Sequence, residues 1–124
     1  MDETKILVVD DDEKILFAFH ELFEKDGYAS IEAKGGAEAL RKFEAEHPHV
    51  IFLDVVLPDM NGIEVLKHIR QQGSAVPVVV ISGKGTSQTD SEARQLGAFE
   101  YLTKPLSVAK VREVIHSALS LSAT

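Results

Sequence analysis

The feature that most constrains the fold is an alternation of two apolar patterns along the chain. Unbroken apolar runs rich in valine and isoleucine occupy residues 6–9, 49–53 and 78–81, and weaker runs occupy 28–33 and 99–102. Unbroken apolarity is typical of strands that are covered on both faces, as in a parallel sheet. Between the runs, apolar residues recur at helical spacing. The pattern therefore predicts a strand followed by a helix, five times over.

The helical patterns differ in strength. The first stripe runs through Ile15, Phe19 and Phe23, and three others are also well formed. The segment 86–96 is the weakest, with only Ala93 and Leu96 as good apolar anchors. Alternating strands and helices predict an α/β domain, with right-handed crossovers and helices on both faces of the sheet. In such sheets ligands bind at the carboxyl ends of the strands.

Length and composition limit the alternatives. A chain of 124 residues predicts a single domain, 1–124, whose residues 119–124 form a tail or the start of a linker. A net charge of -7 argues against direct binding of nucleic acid, which needs clustered Lys and Arg. Cysteine is absent, so thiolate metal sites are excluded. The chain has neither a signal-peptide pattern nor an apolar run near the ~20 residues of a membrane span, so we expect a cytoplasmic protein without membrane contact.

Polar residues follow four of the predicted strands. They are Asp10, Asp11 and Asp12 after the first strand, Asp54 after the third, Ser82 after the fourth and Lys104 after the fifth. Taken singly, each has a plainer interpretation, since aspartates cap helices, serines occur in turns and lysines are solvated. Taken together, carboxylates in a small volume repel one another unless a cation is present. Oxygen ligands of this kind suit Mg²⁺, so the sequence predicts Mg²⁺-assisted phosphoryl chemistry.

Four motifs in this order resemble the receiver domain of bacterial two-component response regulators. They are ILVVDDDE, IFLDVVLPDMNG, VVVISGKG and EYLTKP, and the resemblance covers nearly the whole chain. The resemblance implies a flavodoxin-like, doubly wound (βα)5 fold with the strand order 2-1-3-4-5, which is the order that members of this family are known to have. It also implies a signalling domain rather than an enzyme.

The resemblance assigns roles residue by residue. Asp54 is expected to accept the phosphoryl group, and Asp11 to bind Mg²⁺ directly, with Asp10 acting mainly through water. The main-chain carbonyl of Val56 is the remaining expected ligand, and Mn²⁺ is expected to substitute for Mg²⁺. Lys104 is expected to hold a phosphoryl oxygen. Asp12 is left as a helix cap or an outer charge.

The resemblance also implies roles for further residues in switching and in the lifetime of the phosphorylated state. Ser82 is expected to hydrogen-bond the phosphoryl group while Tyr101 changes rotamer, and the bond before Pro105 is expected to be cis. Val56 and Lys84 occupy positions that tune hydrolysis, and an apolar Val56 favours a long-lived phosphorylated state. The donor is expected to be a sensor histidine kinase or a phosphotransfer protein. The output face comprises the fourth helix, the fifth strand and the last helix, 108–119, which could also form a homodimer.

Two functions from other classes compete with this interpretation. A phosphohydrolase like the haloacid dehalogenases would use Asp10 as nucleophile and Asp12 as acid, but Lys14 stands where Thr or Val is expected. A flavodoxin-like electron carrier would need a phosphate-binding loop after the first strand, where three acids would repel the cofactor. Turnover of a generic phosphatase substrate, or a yellow cofactor, would distinguish these from a receiver.

Overall fold

The computed structural model describes residues 3–83 and 87–122. The strands in this part of the chain are β1 (Lys5–Val9), β2 (Ala29–Ala33), β3 (Val50–Asp54), β4 (Val78–Ser82) and β5 (Glu100–Thr103). The helices are α1 (Glu13–Lys25), α2 (Gly36–Glu46), α3 (Gly62–Gln71), α4 (Ser87–Gln95) and α5 (Val108–Ser122). The predicted alternation of strands and helices is confirmed.

The five strands form one parallel sheet in the order β2-β1-β3-β4-β5, which confirms the predicted fold class. β3 and β4 are buried along their whole length, and β1 is buried except at its first residue. These three strands have a neighbour on each side and helices on both faces, which explains why their sequences are apolar without alternation. The edge strands β2 and β5 are half-buried, consistent with their weaker apolar patterns.

Two apolar layers enclose the sheet. One layer contains Leu7, Leu53 and Val80 together with residues of α2, α3 and α4. The other is centred on Phe19, Phe23 and Phe52, whose ring centroids lie 5.1–5.9 Å apart, and it includes the apolar face of α5. Fully burying each large side chain of this kind contributes about 1.5–3 kcal/mol, so the two layers hold the strand ends in a fixed arrangement.

Arg70 fastens the end of α3 to the end of α4. Its guanidinium donates to the carbonyl oxygens of Leu96 at 2.8 Å, Gly97 at 3.0 Å, Val76 at 2.9 Å and Ser74 at 3.1 Å. Among the α4 residues 89–95, whose burial is described, only Ala93 is fully buried, and Leu96 packs partly against the core. The carboxyl end of α4 therefore depends on Arg70 as well as on apolar contacts.

Element boundaries differ slightly from those predicted. β3 extends to Asp54, because that residue stays in register with Ile81 of β4. α5 ends at Ser122 rather than at 119, because no Gly or Pro interrupts the helix there. α4 begins at Ser87, and the first predicted residue of that helix, 86, lies outside the described residues. Among the described helices, none has the length and apolar character needed to cross a bilayer.

Candidate functional site

The carboxyl ends of the strands bring the predicted polar residues to one edge of the sheet. Asp10 directly follows β1, Asp54 and Ser82 are the last residues of β3 and β4, and Lys104 follows β5. Asp10 is 0% exposed, Asp54 is 4% exposed and Ser82 is 1% exposed. Polar groups buried to this extent need partners, so their contacts define what the site can hold.

Lys104 links the two buried carboxylates. Its Nζ lies 3.0 Å from Asp10 Oδ2 and 2.9 Å from Asp54 Oδ2. Burial acts to lower the pKa of Lys104, but the hydrogen bonds to Asp54 and Asp10 outweigh it, and the pKa is raised. Lys104 therefore stays charged at neutral pH.

The carboxyl group of Asp10 has a raised pKa. Burial is the main cause, and the charge of Asp54 adds to it, whereas hydrogen bonds from the Asp12 N–H and from Lys104 act in the opposite direction. A single ammonium thus serves two buried carboxylates, and the site keeps excess negative charge. Such a site favours the approach of a further cation.

The second oxygen of Asp54 is held by the chain that follows it. Val56 N–H donates to Asp54 Oδ1 at 3.0 Å, and the Gly62 N–H donates to the Val55 carbonyl at 2.6 Å. A Cβ atom at Gly62 would overlap the main chain of Asp54. Glycine at this position therefore allows the start of α3 to approach β3 closely and keeps the carboxylate in one orientation.

Asp12 belongs to the helix rather than to the site. It is the N-cap of α1, and its Oδ1 accepts from the Lys14 N–H at 2.9 Å. Its own N–H donates to Asp10 Oδ1 at 2.9 Å. The cap role predicted for Asp12 is confirmed, and a carboxylate used in this way is poorly placed to serve as the acid of a phosphohydrolase.

Asp10, Asp11 and Asp54 form a group that fits a divalent cation. One carboxylate oxygen from each lies within 4.8 Å of the others. Asp11 is exposed while the other two are buried, so the group is open to solvent on one side. Three carboxylates and one ammonium leave a surplus of negative charge, and Mg²⁺ prefers oxygen ligands combined with water. The donor set therefore fits Mg²⁺.

Other predicted site residues are placed as follows. The hydroxyl groups of Ser82 and Tyr101 are buried, and neither has a hydrogen-bond partner in the described part of the chain. The side chain of Val56 is 72% exposed beside the site. The bond between Lys104 and Pro105 is cis, as predicted. Lys84 lies outside the described residues.

An apolar cleft beside the site was missed from the sequence. It has a volume of about 460 Å³ and lies between α1 and the start of α5, where Ile15, Leu22, Leu106 and Val108 line it together with Lys104. Ile15 and Leu22 belong to the apolar stripe of α1, and the pattern alone predicts that they face the core. The sequence carried no separate signal for the cleft, because an apolar stripe of this kind is typical of any helix that packs one face on a core.

Comparison with known proteins places these features in a family. The family model described as "Response regulator receiver domain" matches residues 6–116 of the chain. The alkaline phosphatase synthesis transcriptional regulatory protein PhoP of Bacillus subtilis is 42% identical over 118 residues, which are 95% of this chain and 49% of PhoP. Sporulation initiation phosphotransferase F of the same organism is 32% identical over 117 residues, which are 94% of each protein.

Solved structures agree with the sequence matches. A CheY-like response regulator receiver domain protein from Methanospirillum hungatei superposes with a TM-score of 0.92 at 28% identity, over 96% of this chain and 95% of that one. The chain spans about half the length of PhoP and nearly all of phosphotransferase F. Similarity therefore includes relatives that consist of little more than this fold and relatives that are about twice as long.

Proposed function

Because the chain belongs to the response regulator receiver domain family and acts in phosphorylation-based two-component signalling, we propose that Asp54 is its phosphoacceptor. The observation that carries the proposal is the pair of contacts on its carboxylate. Oδ1 accepts from the Val56 N–H and Oδ2 contacts the ammonium of Lys104. A buried strand residue held at both oxygens has a defined direction of attack, which lowers the entropy cost of the reaction.

In the proposed reaction, an oxygen of Asp54 forms a bond to phosphorus as the bond from phosphorus to a histidine nitrogen of the donor breaks. The electron pair of the broken bond returns to the imidazole of the donor. Negative charge develops on the equatorial oxygens of the phosphoryl group, and Lys104 supplies a fixed positive charge for them. The domain thereby assists its own modification, and its product is the phosphorylated protein itself.

We assign the metal-binding part of the site to Asp10, Asp11, Asp54 and the main-chain carbonyl of Val56. The family generally binds Mg²⁺ at an acidic cluster, and the group formed here by the three aspartates supports the same assignment in this chain. When bound, Mg²⁺ would neutralise charge on the phosphoryl oxygens, and Mn²⁺ would substitute because it accepts the same oxygen ligands. The residues of the chain hold the acceptor in place through the contacts of Asp54 with Val56 and Lys104.

Ser82 and Tyr101 are assigned to the switch. Their buried hydroxyls lack hydrogen-bond partners among the described residues, so the phosphoryl group would offer Ser82 a bond that it does not have. Movement of Ser82 would bias the rotamer of Tyr101 on β5 and with it the face formed by α4, β5 and α5. A partner protein, or a second copy of the chain, would read that face.

The lifetime of the phosphorylated state is assigned to Val56 and Lys84. The side chain of Val56 stands in solvent next to Asp54 and has no group that could orient an attacking water. Slow hydrolysis is therefore expected. The phosphoryl donor is a phosphohistidine of a sensor kinase or phosphotransfer protein, and the apolar cleft beside Lys104 gives such a partner a surface adjoining the acceptor.

The proposal is tested by incubating the protein with acetyl phosphate and Mg²⁺ and measuring the incorporated phosphoryl group. Wild-type protein is expected to gain one group that is acid-stable and base-labile, as an acyl phosphate is, and Asp54→Asn is expected to gain none. Glu64→Gln, an exposed carboxylate on α3, is the matched control and should be labelled like wild type. Full labelling of Asp54→Asn would contradict the assignment.

A further inference from the structure

The loop between β3 and α3, residues 55–61, is fastened to the amino end of α2 by Asp59. Asp59 Oδ1 accepts from the Gly36 N–H at 2.8 Å, and Oδ2 accepts from the Ala37 N–H at 3.0 Å. The N-cap of α2 is Gly35, which provides no capping side chain. Two N–H groups at the start of α2, which have no acceptor within the helix, therefore donate to Asp59, which lies 23 positions after Gly36.

The two glycines leave room for this contact. A Cβ atom at Gly36 would overlap the side chain of Met60, and one at Gly35 would lie 2.9 Å from Asp59 Oδ1. The pKa of Asp59 is lowered by the hydrogen bonds from Ala37 and Gly36, so its carboxylate is ionised at neutral pH, as a helix amino end favours. The 55–61 loop and α2 thus fit each other through both charge and shape.

The same loop carries the main chain of Val56. Val56 N–H donates to Asp54 Oδ1, and Val56 forms an isolated bridge with Asn61, which caps α3 through the Ile63 N–H at 2.8 Å. One side of the loop is therefore fixed by β3 and the other by α3. Asp59 adds a third attachment, from the exposed part of the loop to α2. In the described residues, α2 has no other hydrogen bond to the 55–61 loop.

We propose that Asp59 is a positioning residue for the phosphorylation site, which holds the 55–61 loop on α2 so that the main chain of Val56 keeps its place beside Asp54. The inference rests on the proposed function, since Asp59 would position the main chain of Val56, whose carbonyl is assigned to the metal and whose N–H donates to Asp54 Oδ1. Asp59 acts through Val56 and does not touch the reacting atoms. A plain helix cap would stabilise α2 without affecting the site.

The test separates these two roles by moving the cap. Asp59→Ala removes both the cap and the attachment of the loop. Gly35→Asp in the same protein returns a carboxylate to α2 at its own N-cap, where φ -152° and ψ 174° suit any residue. Because Asp59 is then absent, the side chain at position 35 has room, and the net charge equals that of wild type. In the double variant α2 is therefore capped, but the 55–61 loop lacks the hydrogen bonds that attach it to α2.

Two quantities are measured for wild type, Asp59→Ala and the double variant. One is the dissociation constant for Mg²⁺, obtained from the rise in melting temperature with Mg²⁺ concentration. The other is the amide resonance of Val56 in NMR spectra, which reports its hydrogen bond to Asp54. We expect Asp59→Ala to lower the melting temperature and to weaken Mg²⁺ binding roughly 10-fold, the low end of the effect of groups that hold metal ligands in place. The double variant should recover the melting temperature and keep the weak binding and the shifted Val56 resonance.

The outcomes distinguish this inference from the proposed function. If the double variant regains wild-type Mg²⁺ affinity, Asp59 is only a cap and the inference is wrong. Unchanged affinity and an unchanged Val56 resonance in Asp59→Ala would overturn it as well. If wild type itself shows no response to Mg²⁺, the metal assignment fails, whatever the variants do. Neither measurement uses a phosphoryl donor, so a failure of Asp54 as acceptor would appear only in the labelling experiment.

Discussion

Replacing Lys104 by methionine keeps most of the side-chain volume and removes the ammonium that contacts Asp10 and Asp54. Two unit charges about 3 Å apart attract with about 5–6 kcal/mol at an effective dielectric constant of ~20, before the cost of desolvation. Removing one partner of a buried pair costs about 3–5 kcal/mol, because the other charge is left without compensation. The side chain of Lys104 is 23% exposed, and water can partly replace it. We therefore expect a loss near the lower limit, about 3 kcal/mol at neutral pH without Mg²⁺.

The loss should depend on pH and on Mg²⁺. The pKa of Asp10 is higher in the folded state than in the unfolded state. Ionisation of this carboxyl group therefore lowers the stability of the fold as the pH rises from the unfolded-state pKa through the folded-state pKa. Lys104 lowers that pKa, so its removal raises the pKa further. The pH range in which ionisation of Asp10 destabilises the fold then extends to higher pH. The loss should shrink as the pH falls from neutral into the acidic range, where Asp10 becomes increasingly protonated. Mg²⁺ should also reduce the loss, since it supplies positive charge to the same carboxylates.

The assay is urea unfolding followed by circular dichroism, at neutral and at acidic pH and with and without Mg²⁺. Lys110→Met is the matched control, because Lys110 is 46% exposed and its Nζ lies 3.6 Å from Glu113 at the surface. Such a pair contributes about 0–1 kcal/mol, so the control should change little under any condition. An equal loss for Lys104→Met at both pH values and at all Mg²⁺ concentrations would mean that Lys104 acts by packing alone, and the electrostatic account would be refuted.

Three further predictions concern the metal, the attachment of α4 and the switch. Mg²⁺ at 100 times its dissociation constant should stabilise the wild type by about 2.7 kcal/mol, and Asp11→Ala should lose much of this gain in thermal unfolding; an equal gain would exclude Asp11 as a ligand. Arg70→Lys should lose about 1–3 kcal/mol in urea unfolding, because an ammonium cannot reach all four carbonyls, whereas exposed Arg94→Lys should be neutral. Beryllofluoride should change amide hydrogen exchange most in α4, β5 and α5, and changes confined to α1 and α2 would place the output face elsewhere.

The fold and the location of the site followed from the sequence for a physical reason. Unbroken apolar strands require cover on both faces, and this requirement together with the alternation of strands and helices leads to a parallel sheet. In a parallel sheet all carboxyl ends lie at one edge, so Asp10, Asp54, Ser82 and Lys104 had to lie along the same edge. The strand order came from the resemblance, since apolarity alone does not distinguish the possible arrangements of five buried strands.

Contacts between a side chain and main-chain groups far away in the sequence could not be predicted in this way. Asp59 has the appearance of any polar loop residue, and its partners on α2 are main-chain N–H groups that carry no sequence signal. Arg70 likewise binds four carbonyl oxygens, which every residue has, so its sequence position says nothing of its partners. The glycine pair at Gly35 and Gly36 was the available signal, because adjacent glycines at a helix start permit a close approach.

The assignment of Asp54 as the residue that carries the phosphoryl group is tested best by chemical identification of the modified residue. Borohydride reduces an acyl phosphate to an alcohol and so converts a phosphorylated aspartate to homoserine, which tandem mass spectrometry locates in the digested protein. After treatment with acetyl phosphate and Mg²⁺, we predict homoserine at position 54, with Asp10 and Asp11 unchanged. Homoserine at either of those two positions, with an unmodified Asp54, would contradict the account.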